Sequence, residues 1–368
     1  MEKIVLFHPY IPKKALKMVN EVLKTRWIGQ GPKVNEFEKR FKSDFANKSE
    51  CIAVGSGTDA LHLAYICANI NPGDEVIVPV FTCTATNIPL LYIGANIKFA
   101  DVDPQTLNID TNHVQELVNE KTKAIVCVHY GGLPCDLTAL SKIAKKYNIP
   151  LIQDSAHALG AKYKNKNISN FSDFSCYSFQ AIKSITTGDG GMLVVSNKEN
   201  QERAKRIRWF GIDREKKSLG IWENDITEIG YKYQMTDIAA VMGIAGIDKF
   251  EEQLSRRRKL FFKYEKKLKN IPGLRFVNSD DKKFFHGAWL STIIVQNRTG
   301  LQKKLMENNI ETNQVHYRND RYKIFSDFNK NNLPNMDKIE DDYLVLPLHS
   351  KVKIRDVERI SNVIKSGW

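Results

Sequence analysis

Between about residues 50 and 197, short apolar runs alternate with segments whose apolar positions recur at helical spacing. Cys51–Val54, Glu75–Val80, Ile97–Val102, Ala124–His129 and Pro150–Asp154 read as strands. Between them, Thr58 to about Ala68, Thr84–Tyr92, His113–Val118 and Leu137–Tyr147 read as helices. Val/Ile-rich runs separated by amphipathic helices predict βαβ units and a buried, mainly parallel sheet, hence an α/β fold. Phe174–Phe179 and Met192–Val195 add two further apolar strands. Thr236–Leu268 predicts one long helix ending near Pro272-Gly273. Beyond it the rhythm changes. Leu274–Val277 and Trp289–Val295 read as strands, Leu301–Asn308 as a helix and Val352–Lys365 as a last amphipathic helix. A division near residue 250 follows, with a large domain over 1–250 and a small α+β domain over 251–368.

In a parallel sheet, ligands bind beyond the carboxyl ends of the strands. After the first strand comes Gly55-Ser56-Gly57-Thr58-Asp59-Ala60, glycines and hydroxyls opening a helix. Free N–H groups and the helix dipole favour an anion there, and a plain helix cap is the alternative. The run lacks the G-x-G-x-x-G spacing of dinucleotide sites. Phe81, after the second strand, is either a core aromatic or a cover for a flat ring. Asp154 ends an apolar strand, where a carboxylate has to be paired or used. Ser178 follows the next strand, and Lys183 sits five residues on, in a loop of small and hydroxylated residues. A phosphate cradle, a ring cover, a strand-end aspartate and a sheltered lysine are together the parts that hold pyridoxal phosphate.

The chain resembles the fold-type I pyridoxal-phosphate enzymes of the aspartate aminotransferase superfamily. It is most similar to their sugar aminotransferase branch, which aminates keto sugars carried on nucleotides. The matching segments run in order: RWIGQGPKVNEFE (Arg26–Glu38), VGSGTDALHLA (Val54–Ala64), GDEVIVPVFTCTAT (Gly73–Thr86), QDSAHALGA (Gln153–Ala161), SFQAIKSITTGDGG (Ser178–Gly191), GYKYQMTDIAAVMG (Gly230–Gly243) and LPLH (Leu346–His349). The resemblance implies that Lys183 is the Schiff-base lysine and proton shuttle and that Asp154 pairs with the pyridine nitrogen. It further implies that Gly57, Thr58 and Ser178 bind the phosphate and that Phe81 stacks on the ring. His157 stands where a glutamine is common beside the ring hydroxyl, and adds a titratable group. Lys232 replaces an asparagine that reaches the phosphate of the neighbouring subunit's cofactor; lysine occurs there in some 4-amino sugar enzymes of the family. Gln234 replaces the usual arginine. Trp27, Ile28 and Gly29 match a segment near the sugar. His316 and Arg318, in HYRND (His316–Asp320), would bind a donor carboxylate or a nucleotide phosphate; a surface loop is the alternative. The implied assembly is a homodimer with shared sites, and the implied donor is glutamate.

Net charge is +13, which raises nucleic acid as a partner. The basic residues are scattered, and clusters such as Arg256-Arg257-Arg258-Lys259 fall in helical sequence, so solvated faces explain them and no nucleic-acid role is expected. The charge also suits anionic metabolites. Six cysteines without a C-x-x-C pair read as free thiols of a reducing compartment. The N-terminal sequence lacks a signal-peptide pattern and no apolar run reaches membrane-spanning length, so a cytoplasmic protein is expected. The eight dispersed histidines show no metal-ligand spacing, so no metal is expected. Three rival activities stand beside the aminotransferase. Sugar dehydratases of the family carry histidine in place of the lysine. A second rival is amination of a smaller keto phosphate rather than a nucleotide sugar, which the motifs around the cofactor do not separate. A pseudoenzyme scaffold would be expected to have lost Lys183 or Asp154.

Overall fold

The structure, a computed structural model, describes residues 2–47, 49–221 and 225–368. Its centre is a seven-stranded sheet. In spatial order the strands are Glu50–Val54, Gly191–Val195, Phe174–Ser178, Leu151–Asp154, Thr122–Val128, Glu75–Pro79 and Asn96–Ala100. Gly191–Val195 pairs antiparallel on both sides, and the four remaining pairings are parallel. Strands at the middle of the sheet are buried over most of their length, which explains apolar runs such as Ala124–Val128.

The helices begin and end where local chemistry dictates. Asp136 caps Leu137–Tyr147 by accepting the Ala139 N–H, and Asn148 closes that helix in the left-handed conformation. Thr236 caps Asp237–Ile247 through the Ala239 N–H. One aromatic layer over the sheet joins Phe37, Phe41, Phe45, Tyr177, Phe179 and Phe250, with ring centroids 4.9–6.3 Å apart.

The long helix predicted over Thr236–Leu268 is two helices, Asp237–Ile247 and Phe250–Leu268, separated at Asp248-Lys249. The two have different surroundings. The first is apolar on all sides and lies inside the aromatic layer, while the second is amphipathic. At the break the Asp248 carboxylate accepts from Lys14 and Arg40, which ties down the two N-terminal helices Lys13–Val22 and Pro32–Phe41.

A second, three-stranded antiparallel sheet orders Leu274–Phe276, Ser291–Val295 and Tyr343–Leu346. Phe250–Leu268 and Ile354–Lys365 share an apolar core with it. Ile4 joins this core too and bridges to Ile310. Among the described residues no helix is long and apolar enough to cross a membrane.

Candidate active site

Four strand ends of the large sheet meet at one edge. Beyond Val54, Ser56 caps the helix Gly57–Cys67, its hydroxyl accepting the Asp59 N–H at 3.0 Å. A Cβ on Gly57 would stand 2.8 Å from Ser178 Cβ, so only glycine lets the helix start this close to the neighbouring strand end. The Ser178 hydroxyl accepts the Gln180 N–H at 3.3 Å. Gly57, Thr58 and Ser178 are thus brought together beneath a helix N-terminus.

Asp154 is buried. Its carboxylate accepts from the Thr86 hydroxyl (2.7 Å) and the Ala156 N–H (3.0 Å). Burial raises its pKa, while those two hydrogen bonds and the charge of Lys183 pull the other way. Among the described residues no cation forms an ion pair with it. Lys183 occupies the loop between Ser178 and Gly191. Its Nζ lies 3.9 Å from the centre of the Trp289 ring. Burial lowers the lysine pKa to about 8, with Asp154 and Cys83 opposing. Trp289 comes from the second sheet's side of the molecule and donates its indole N–H to Ile182 O (3.2 Å), one residue before the lysine.

His157 stacks on Trp289 at 3.9 Å between centroids, and His316 stacks on His157 at 5.0 Å. The two Nε2 atoms are 3.1 Å apart. Gly131 N–H donates to His157 Nδ1 (3.4 Å). A neutral His157 therefore carries its proton on Nε2 and donates it to His316, which places the His316 proton on Nδ1. Burial holds both imidazoles neutral, helped by the charge of Lys183, and takes His316 to about 3. Gly131 O also accepts from the N–H groups of Trp289 and Leu290, so one turn sets both the histidine and the tryptophan.

Two residues proposed from sequence lie elsewhere. Phe81 is 1% exposed and packs between Tyr130 and Tyr343, at 4.9 and 5.0 Å. A ring cover must present a face to the site, and this ring is spent on the core. Cys83, two residues on and partly exposed, is the side chain of that segment which acts electrostatically on Lys183. Arg318 is not available for a substrate anion. It bonds Asp320 in a fork at 2.8 and 2.7 Å, and also Asp337 and Glu340. Those partners raise its pKa, against the opposing effect of burial.

Trp27, Ile28 and Gly29 are not brought to Lys183 of the same chain. Trp27 and Ile28 are exposed, and Trp27 lines a separate cleft with Gln30, Arg206, Arg208 and Arg214. Buried Asp237 orders this segment by accepting the N–H groups of Gly31, Lys33 and Val34. Lys232 is exposed, with its Nζ 4.2 Å from the Trp209 ring centre. Sequence reasoning missed Trp289, Thr86, Gly131 and Cys83. Thr86 and Cys83 stood inside a quoted motif, whereas nothing local distinguished Trp289 from a core aromatic.

Cys127, His129 and Cys135 also converge behind the site, with candidate ligand atoms within 4.8 Å of one another. His129 has both nitrogens committed, Nδ1 to Cys135 N–H (3.0 Å) and Nε2 to Gln153 Oε1 (2.9 Å). Cys135 donates its thiol to Val128 O. The trio braces the turn that carries Gly131.

The residues present suit pyridoxal phosphate. A buried carboxylate without a cation matches a protonated ring nitrogen, a helix N-terminus matches the phosphate, and a desolvated amine matches the aldehyde. Fold and site together define a fold-type I pyridoxal-phosphate aminotransferase. The chain belongs to the DegT/DnrJ/EryC1/StrS aminotransferase family, which matches residues 9–365. It is 36% identical to GDP-perosamine synthase of Escherichia coli over 86% of this chain and 85% of that one. It is 31% identical to the UDP-4-amino-4-deoxy-L-arabinose--oxoglutarate aminotransferase of Shewanella sediminis, over 98% and 96% of the two chains. The PLP form of Spr1654 from Streptococcus pneumoniae superposes with a TM-score of 0.92 at 27% identity, over 99% and 98%.

Proposed function

We propose that this aminotransferase moves the amino group of glutamate to C4 of a keto hexose carried on a nucleotide, making an amino sugar for a surface glycan. The observation that carries the reading is the pairing of an uncompensated buried Asp154 with a desolvated Lys183 at one sheet edge, in a chain of this family. The names of the two curated relatives, a GDP-sugar synthase and a UDP-4-amino sugar aminotransferase, support the acceptor class, and the second supports C4.

Bound pyridoxal phosphate supplies an aldehyde for amines and a ring that accepts the electron pair released at the donor's α-carbon. Asp154, buried and without an ion-pair partner among the described residues, would hold a proton on the ring nitrogen, whose charge would in turn compensate the buried carboxylate. Gly57, Thr58 and Ser178 take the phosphate at the helix N-terminus. Lys183 Nζ, its pKa lowered to about 8, keeps a minor neutral fraction near physiological pH that is far larger than an ordinary lysine's; it would remove the α-proton of the donor and later return a proton to the acceptor carbon. His157 and His316 stay uncharged beside it and add no cation to compete with the lysine.

The working unit of this reading is a homodimer. Exposed apolar side chains support it: Leu23, Trp27 and Ile28 on one segment, Phe210, Leu219 and Ile229 on another. In the dimer, Trp27–Gly29 and Lys232 serve the partner's site. The test is a panel of 4-keto and 3-keto nucleotide sugars and small keto phosphates, with glutamate as donor and product identified by mass. Turnover of the 4-keto nucleotide sugar is expected. Turnover confined to 3-keto sugars or to keto phosphates overturns the acceptor assignment.

A further inference from the structure

Three arginines are buried among the described residues: Arg208, Arg257 and Arg318. Arg208 bonds Glu38 at 2.7 Å, and Arg318 holds three carboxylates. Arg257, 7% exposed, has no acid. Its one hydrogen bond runs from Nη2 to the Ser184 hydroxyl (2.7 Å), and its Nε is buried without a partner. Burial alone lowers its pKa, to about 10, with no charged neighbour acting on it. A sequestered guanidinium is costly unless it is paired. A chain that keeps one next to its reactive lysine has left a place for an anion that arrives from outside.

The position is informative. Ser184 follows Lys183 directly, so the guanidinium and the amine are fastened to one loop. Both line a narrow cleft with Trp289, Gln253, Tyr10 and His349, and no Asp or Glu is among its lining residues. His349 is committed on both nitrogens, to Val5 O and to the Lys351 N–H, and burial holds it toward the neutral form. His8, also on the cleft, shares Nδ1 with Pro9 O. The lysine and arginine side chains that line the cleft are Lys183 and Arg257.

We propose that Arg257 binds a carboxylate of the amino donor, with Ser184 holding the guanidinium in place between turnovers. This rests on the amino-acid donor reading given above. The unpartnered Nε and the Nη2 beside it, which a ligand would share with or take from Ser184, form the planar fork that matches a carboxylate's two oxygens. The role expected of Arg318 thereby passes to a residue that is free to fill it. A nucleotide phosphate would be recognised by the same chemistry, and the two sources are separable because they enter in different half-reactions.

The test uses the cofactor-loaded enzyme and the variants Arg257→Met and Arg257→Lys. Glutamate dependence is read from formation of 2-oxoglutarate. The second half-reaction is read separately, from enzyme loaded with pyridoxamine phosphate and given the keto sugar. Melting temperature is recorded with and without glutarate, a dicarboxylate that cannot react. Arg257→Met is expected to raise the KM for glutamate roughly 10- to 100-fold, the loss of hydrogen bonds to a charged group. Arg257→Lys recovers part of it, the keto-sugar half is unchanged, and melting without ligand stays level or rises because an unpaired buried charge is gone. Glutarate raises the melting temperature of the wild type and not of Arg257→Met. Wild-type saturation by glutamate in Arg257→Met overturns the proposal. So does a defect confined to the keto-sugar half, which would assign the arginine to phosphate. So does a fall in melting temperature with equal loss in both halves, the mark of a structural cation. If the wild type ignores glutamate, the donor reading fails, and the glutarate shift still decides whether Arg257 takes carboxylates.

Discussion

Lys183 suits the role proposed for it because its surroundings make an ordinary amine unusual. Removal from water disfavours its ammonium form, and the Trp289 face offers a weaker refuge than bulk solvent does. Acylation of Lys183 in the cofactor-free protein should follow a titration centred near pH 8, against about 10.4 for an unperturbed lysine. The sign is that of a depressed base: the reactive neutral form accumulates as pH rises through the lowered value. Peptide mapping after labelling at a series of pH values reads this directly, and a midpoint near 10 would remove the physical basis of the proton shuttle. Arg318 makes the opposite case. Arg318→Met leaves Asp320 buried and unpaired, so the loss should be about 3–5 kcal/mol of stability, seen as a lower urea midpoint. Lys183, Asp154 and the Gly57–Thr58 turn were legible as residues, because small, charged and glycine positions at strand ends have few other uses. Phe81 and Arg318 misled for one reason: a phenyl ring and a guanidinium serve equally well in a core, in an ion pair or in a site.

Among the elements, strand and helix identities in the alternating half of the chain could be read from periodicity, since each buried strand and each capped helix carries its own local pattern. Leu137–Tyr147 was predicted residue for residue. The break at Asp248-Lys249 was not, because both flanking segments are helical in pattern and only their separate environments demand a turn. We propose the domain division near residue 250 with one amendment, that the segment around Ile4 belongs with the C-terminal core it packs into. The cradle between strand ends depends on a close approach. Gly57→Ala places a Cβ against Ser178, so the helix start must shift, and affinity for pyridoxal phosphate should fall at least ~10-fold while far-UV circular dichroism is retained. Titration of the cofactor by absorbance tests this, and unchanged affinity would show that the phosphate sits elsewhere.

For the molecule as a whole, the dimer reading makes a demand that no monomer could meet. Lys183→Ala and Lys232→Ala copies, each poorly active alone, should complement when unfolded and refolded together. In a mixed dimer one of the two shared sites keeps both lysines, so random pairing returns about a quarter of wild-type activity. Absence of any recovery, with mixed dimers verified by mass, would place Lys232 outside its neighbour's site. The net charge of +13 has a simple reading on this scale, a surface attractive to anionic sugar nucleotides and dicarboxylates.

The sequence alone determined the α/β alternation and the family, and it singled out Lys183 and Asp154 as candidates for the chemistry, because strand periodicity, helix capping and the small-residue loops around charged groups are local properties. The tertiary structure decided everything that depends on two distant segments meeting. It set Trp289 from the small sheet's side against Lys183, joined His157 to His316 across 159 residues, consumed Arg318 in an acidic cluster and left Arg257 without one. The reason is physical: whether a side chain is available for function depends on what the rest of the fold places within hydrogen-bonding reach of it, and a linear pattern does not carry that distance.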